Sequence, residues 1–149
     1  MKDRFKLVCA SYLLIRKDNQ ILLHLRQNSG FMDGFYSLVS GHLDGHESFS
    51  QCMVREAKEE AGIKVKETDL TVVHVINRFE KLNPPPLSER VDVFMEVKSW
   101  QGEITNMEPD KCVSLDWFDL DDLPENTIPY IKEALMDIKN NIHYKEVGY

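Results

Sequence analysis

Disulfide chemistry has little to work with in this chain. Its three cysteines, Cys9, Cys52 and Cys112, are scattered, odd in number and never paired as CxxC. That spacing argues against a disulfide framework or a zinc ribbon, and a reducing, cytoplasmic setting is expected. Long apolar runs are also missing. The stretch from Leu7 to Ile15 is interrupted by Ser11 and Tyr12, and it is too short to cross a bilayer. No small-residue cleavage site follows, so it predicts a first strand rather than a signal. Positive charge is scarce: 18 Lys and Arg face 25 Asp and Glu, a formal net charge of -7. A surface that coats nucleic acid needs the opposite balance, so neither nucleic acid nor membrane is expected as a partner. A phosphate-bearing small molecule stays open, because a divalent cation can bridge acid to phosphate.

What is present suits one domain spanning 1–149, with hydrophobic residues at 42% and enough length for a substantial core. FKLVCASYLLI and ILLHLRQ, joined by RKDNQ, predict a hairpin. NSGFMDGF reads as a loop and YSLVS as a short strand. Residues 48 to 61 predict a helix: Ser48 with Gln51 forms a capping-box pattern, and Gly62 stands where the helix should stop. LTVVHVINRF and RVDVFMEVKSW predict strands on either side of KLNPPPLSE, whose prolines make a stiff exposed connection. VSLDWFDL predicts another strand, closed by the DDLPEN turn. Residues 127 to 142 predict a final helix, because Ile128, Ile131, Leu135, Ile138 and Ile142 keep three-and-four spacing. The whole reads as an α/β domain with a mixed sheet and helices on its faces.

The helix from Ser48 carries Glu56, Glu59 and Glu60, which must repel one another. At 100° per residue the three carboxylates share an arc of roughly 100°, while Met53, Val54, Ala57 and Ala61 form the core flank. They lie toward the helix C-terminus, where the macrodipole disfavours negative charge. Hard oxygen ligands in this number suit Mg²⁺ or Mn²⁺, which in turn would hold substrate phosphates.

The stretch GHLDGHESFSQCMVREAKEEAGI resembles the signature of the Nudix hydrolases. Gly41, five residues, Glu47, seven residues and then Arg55-Glu56-Ala57-Lys58-Glu59-Glu60-Ala61-Gly62-Ile63 match that pattern at every fixed position. Only Ala57 is a weak representative of a bulky apolar position. The order of elements is similar too. The resemblance implies a Nudix-type α/β/α sandwich with a mixed sheet, and hydrolysis of a nucleoside diphosphate linked to a group X. It implies that Glu56, Glu59 and Glu60 bind metal with the Gly41 carbonyl, and that Glu47 pairs with Arg55 to hold the loop. The general base is either Glu56 or a glutamate from a later loop. Glu108 in GEITNMEPDK is the candidate there, by spacing similar to that of MutT-like enzymes. The small size and MutT-like spacing favour a nucleoside triphosphate as substrate, giving monophosphate and pyrophosphate. ADP-ribose and nucleotide sugars come second, and a non-catalytic nucleotide sensor third. Oligomeric state is not readable.

Other residues carry weaker signals. His42, Asp44 and His46 lack the registration and the third ligand of a zinc site. Arg26 is either a phosphate contact or an ordinary surface arginine. Trp117 and Phe118 either stack a base or fill the core. Asn126 and Thr127 lie where MutT-like relatives contact the base, although capping of the last helix by Asn126 is the simpler account. His24, His74 and His143 read as isolated. Cys52 falls on the acidic arc without a histidine partner.

Overall fold

The computed structural model describes residues 2–85 and 87–149. Strand β1 (Val8–Leu14) is buried from Ala10 onward. A strand covered on both faces loses the alternation of a half-exposed one, which is why its sequence is almost continuously apolar. It lies between β5 (Val39–His42), to which it is antiparallel, and β7 (Glu89–Val97), to which it is parallel. β6 (Leu70–Phe79) pairs antiparallel with β7, and β9 (Tyr144–Val147) pairs parallel with β6. The result is a mixed five-stranded sheet in the order β5-β1-β7-β6-β9.

A second sheet joins β2 (Arg16–Lys17), β3 (Gln20–Arg26), β4 (Tyr36–Ser37) and β8 (Cys112–Asp119), with β3 in contact with all the others. The hairpin expected between the first two apolar runs is therefore corrected. The hairpin is the short β2–β3 unit, turned at Asp18 with φ 56°, while β1 and β3 belong to different sheets. Both runs are buried along most of their length. Each draws its long partners from far along the chain, and those pairings override adjacency.

Side chains alternate across β1. Leu13 and Ile15 join Cys52, Met53, Ala57 and Ala61 of helix α1 (Phe49–Ala61) in one core cluster. Tyr12 and Leu14 join Phe94 and, from helix α2 (Pro129–Lys139), Ile131, Ala134 and Leu135 in the other. Each helix thus covers its own side of the mixed sheet, which is the α/β/α sandwich expected.

The last helix is shorter than the apolar stripe suggested. It begins at Pro129, whose fixed φ suits a first helical position, and ends at Lys139. Asn141 then adopts φ 59°, Ile142 is largely out of the core, and the chain returns as β9. Asn126 does not cap it: Ile128 holds the cap position without a side-chain bond, and Asn126 Nδ2 donates to the Gly34 carbonyl at 2.9 Å. Phe118 takes the core role, edge-on to Tyr36 at 4.9 Å. Trp117 packs against the α1-side cluster. Pro84 and Pro85 are exposed as expected, and Pro86 lies outside the described residues. Among the described residues no helix is long and apolar enough to cross a membrane.

Candidate active site

Helix α1 is fixed at both ends. The Ser48 hydroxyl accepts from the Gln51 backbone N–H at 3.0 Å, and Gln51 Oε1 accepts from the Ser48 N–H at 2.9 Å. Gly62 closes the helix at φ 66°, a conformation that glycine adopts without Cβ strain. With its ends set, the register of the acids follows, and β5 runs alongside. Gly41 meets Glu56 so closely that a Cβ there would overlap the Glu56 carboxylate. Glycine is needed here for close approach, not for its φ. The Gly41 carbonyl receives a weak contact from the Cys52 thiol at 3.6 Å. Cys52 itself is wholly buried, which corrects its placing on the acidic arc. Burial first, with Glu47 next, pushes its thiol up to about 12, so it is no nucleophile.

The three carboxylates have different surroundings. Glu56 is buried, Glu60 nearly so, and the Glu59 side chain is 49% exposed. Arg55 holds Glu56 at 2.6 Å and Glu59 at 3.3 Å with one nitrogen. Its other edge grips Glu47 as a fork, at 2.7 and 2.9 Å, and donates to the His42 carbonyl at 3.1 Å. The expected Glu47–Arg55 pair is thus bidentate, the geometry in which guanidinium binds carboxylate best. Hydrogen bonds from Arg55 hold the Glu47 carboxyl down to about 2. Glu56 moves the opposite way, raised by burial and then by the charge of Glu60, with Arg55 opposing.

Glu60 accepts from the Ser40 backbone N–H at 3.2 Å and lies 3.8 Å from His24 Nδ1. His24 is buried on β3, so it is not the isolated residue the sequence suggested. The period of two places it on the same face as Leu22, toward α1, and that signal was available. His74, also read as isolated, is buried too. It bonds the Ile142 carbonyl at 2.8 Å and lies 3.7 Å from Asp137, far from the acids along the fold. Glu108 sits on the loop before β8, where burial and then the charge of Glu60 raise its carboxyl. The structure therefore brings Glu56, Glu59, Glu60, Glu108 and His24 to one end of α1.

On the other side of β5 opens a cleft of about 760 Å³, lined in part by Tyr12, Arg26, Gly41, His42, Arg78 and Arg90. Only Arg26 and Gly41 of these were foreseen as site residues. Arg26 donates to the Phe31 carbonyl at 2.8 Å and to Ser29 at 3.0 Å. Arg78 is buried, bonded to Asp92 at 2.9 Å, with its guanidinium 4.0 Å above the Tyr130 ring. Arg90 meets His42 Nε2 at 2.9 Å. Burial and then the charge of Arg90 lower the His42 imidazole from its ordinary value, with Arg26 and Arg78 adding to the effect. His42 thus faces arginines, not a zinc-like ligand set. Asn126 is exposed and Thr127 is buried with its hydroxyl on the Pro124 carbonyl. Neither lines the cleft.

Among the described residues no three His, Cys, Asp or Glu side chains stand gathered as a finished metal cage. Arg55 engages two of the three acids of α1. The donor set nevertheless suits a hard divalent cation. Glu56, Glu59, Glu60 and Glu108 are all oxygen donors; burial first, and then the charge of Glu60, raise Glu56 and Glu108, and a cation would oppose both effects.

Comparison with known proteins agrees with this fold. The NUDIX domain family model matches residues 6–137. The chain is 29% identical over 110 residues to the NAD-capped RNA hydrolase NudC of Escherichia coli, covering 74% of this chain and 38% of that protein. It thus spans well under half the length of the curated relatives it matches. A MutT NUDIX hydrolase from Burkholderia pseudomallei superposes with a TM-score of 0.76 at 27% identity, over 88% of this chain and 97% of that one. The fold is also shared with an ADP-ribose pyrophosphatase from Streptococcus suis, at a TM-score of 0.60 and 22% identity, over 95% of this chain and 98% of that one. With the family pattern matched over most of its length and the sandwich in place, the chain belongs to the NUDIX domain family.

Proposed function

We propose that this protein is a Mg²⁺-dependent Nudix pyrophosphohydrolase, with Mn²⁺ as a substitute, cleaving a nucleoside diphosphate linked to X. The best-supported substrate is a nucleoside triphosphate, cut to monophosphate and pyrophosphate, in a cytoplasmic setting. One observation carries the reading: Glu56, raised by burial and by the charges of Glu60 and Glu59, packs directly on Gly41, which also lines the arginine-bearing cleft. Glu56, Glu59 and Glu60 would hold the metal, with the Gly41 carbonyl as a further oxygen. The metal would supply charge neutralisation on the phosphoryl oxygens.

The protein's own groups do the rest. Arg55 ties Glu47 and the His42 carbonyl to the helix, so the loop keeps its place against the acids. Glu108 takes the proton from the attacking water. It is better placed for this than Glu56, whose Oε1 is already engaged by Arg55 at 2.6 Å. Arg26, at the end of β3 and in the cleft, takes a substrate phosphate.

Turnover of a nucleotide panel with Mg²⁺, with products identified, tests the reading. Monophosphate and pyrophosphate from a triphosphate are the expected products. A second reading, a substrate with two nucleotide-type halves or ADP linked to a sugar, is favoured by the relative that acts on NAD-capped RNA. That relative also keeps a nucleic-acid-linked substrate within the panel. A non-catalytic sensor would bind nucleotide without turnover and would tolerate Glu59→Gln.

A further inference from the structure

The loop that carries Glu108, between β7 and β8, has little packing to hold it. Met107 is 53% exposed, and Pro109, Asp110 and Lys111 are exposed as well. A segment with so little buried apolar surface opens easily unless polar bonds restrain it. Glu108 itself is half-buried, and its backbone is tied in both directions. Its carbonyl accepts from the Lys111 and Cys112 N–H groups at 3.0 and 2.9 Å. Its own N–H donates to Asn106 Oδ1 at 3.1 Å.

Asn106 uses both ends of its amide. Its Nδ2 donates to the Cys112 carbonyl at 2.7 Å, so one side chain spans the turn that contains Glu108. The Cys112 carbonyl only accepts and the Glu108 N–H only donates, so a single orientation of the amide serves both. A second set of ties comes from the end of β3. Gln27 Nε2 donates to the Pro109 carbonyl at 2.8 Å, and Asn28 Nδ2 to the Asp110 carbonyl at 2.9 Å. On the other flank the Met107 N–H donates to the Glu60 carbonyl at 3.3 Å, which registers the loop against the last turn of α1.

We propose that Asn106, assisted by Gln27, is a positioning residue whose amide holds Glu108 where its carboxylate takes the proton of the attacking water. This rests on the hydrolase reading above, with Glu108 as base, and deepens it. A general base works only within hydrogen-bond reach of its proton, and a displacement of about 1 Å costs up to about 100-fold in rate. Asn106 acts through the backbone of Glu108 and not by contact with substrate.

Two measurements separate the clamp from the base. In the metal-free protein, amide hydrogen exchange reads the restraint directly. The Glu108 N–H is expected to exchange about fivefold faster in Asn106→Ala than in wild type. Equal exchange in the folded variant overturns the proposal. With Mg²⁺, kcat and KM on the best substrate of the nucleotide panel are compared for wild type, Asn106→Ala, Glu108→Gln and the double variant. Asn106→Ala is expected to lower kcat about tenfold, with KM changed by less than about twofold. In the Glu108→Gln background the same change is expected to cost less than about twofold, because the base it positions is already gone. An unchanged kcat, or an equal loss in both backgrounds, overturns the proposal. Absent wild-type turnover, or a Glu108→Gln kcat equal to wild type, is failure of the reading it rests on and takes the proposal with it; the exchange rate tells that apart from failure of the clamp. If Asn106→Ala does not fold, Gln27→Ala removes the tie to Pro109 and carries the same tests. Losses of about threefold are then expected, and their absence overturns the proposal.

Discussion

At the scale of single residues, like charges are held close and the compensation is incomplete. Gly41 shows how tight the arrangement is. Replacing it by Ala places a methyl group on the Glu56 carboxylate, so Glu56 must swing off its 2.6 Å bond to Arg55, and loss of such a charged hydrogen bond costs about 1–3 kcal/mol. Thermal unfolding of Gly41→Ala should show that loss, and its metal-dependent turnover should fall with it; wild-type stability in the variant would mean the close approach is wrong. Glu47 makes a separate prediction about acid. Its carboxyl is held near 2 by Arg55, below the ordinary value near 4.5. A depressed folded value contributes stability that is complete above about pH 4.5 and fades as pH falls toward 2. Glu47→Gln removes that contribution, so the variant should be less stable than wild type at neutral pH, and the gap should close between about pH 4.5 and 2. A gap that stays constant with pH would show that the pair does not act through its charge.

Among the elements, α1 carries the site and β5 carries the approach to it. The capping box sets where the helix starts, and a helix displaced at its start moves every acid along it. Ser48→Ala removes the bond to Gln51 and should destabilise the protein by about 1 kcal/mol, read from denaturant unfolding. Its effect on turnover should stay well below that of the acid variants. Both ends of α1 were legible in the sequence because caps are local devices: Ser48, Gln51 and Gly62 act within their own helix. The hairpin and the last helix were not, for the opposite reason. The partners of β1 and β3 are β7 and β8, far along the chain, and no local pattern names them. The stripe through Ile142 kept helical spacing, but the turn at Asn141 sends the chain back to pair with β6.

Across the whole molecule, β5 divides an acidic pole from a basic one. The acidic pole was readable because its residues lie within one short motif. The basic pole was hidden because Arg26, Arg78 and Arg90 come from three strands and meet only after the sheets form. For His24 the strand period gave the face, but its approach to Glu60 arises only on folding. The account's central claim is that the acids of α1 serve a divalent cation in hydrolysis, and are not a solvated face. Glu60→Gln keeps the size of the side chain and removes its charge, so it isolates that claim. Loss of a metal contact worth several kcal/mol in the transition state corresponds to about 100-fold or more in rate. The most direct measurement is kcat/KM on the best substrate of the panel for wild type and Glu60→Gln, with Mg²⁺ and with EDTA. The account expects wild-type turnover that EDTA abolishes and a Glu60→Gln rate lower by about 100-fold or more in Mg²⁺. Turnover that survives EDTA, or a folded Glu60→Gln as fast as wild type, would contradict it.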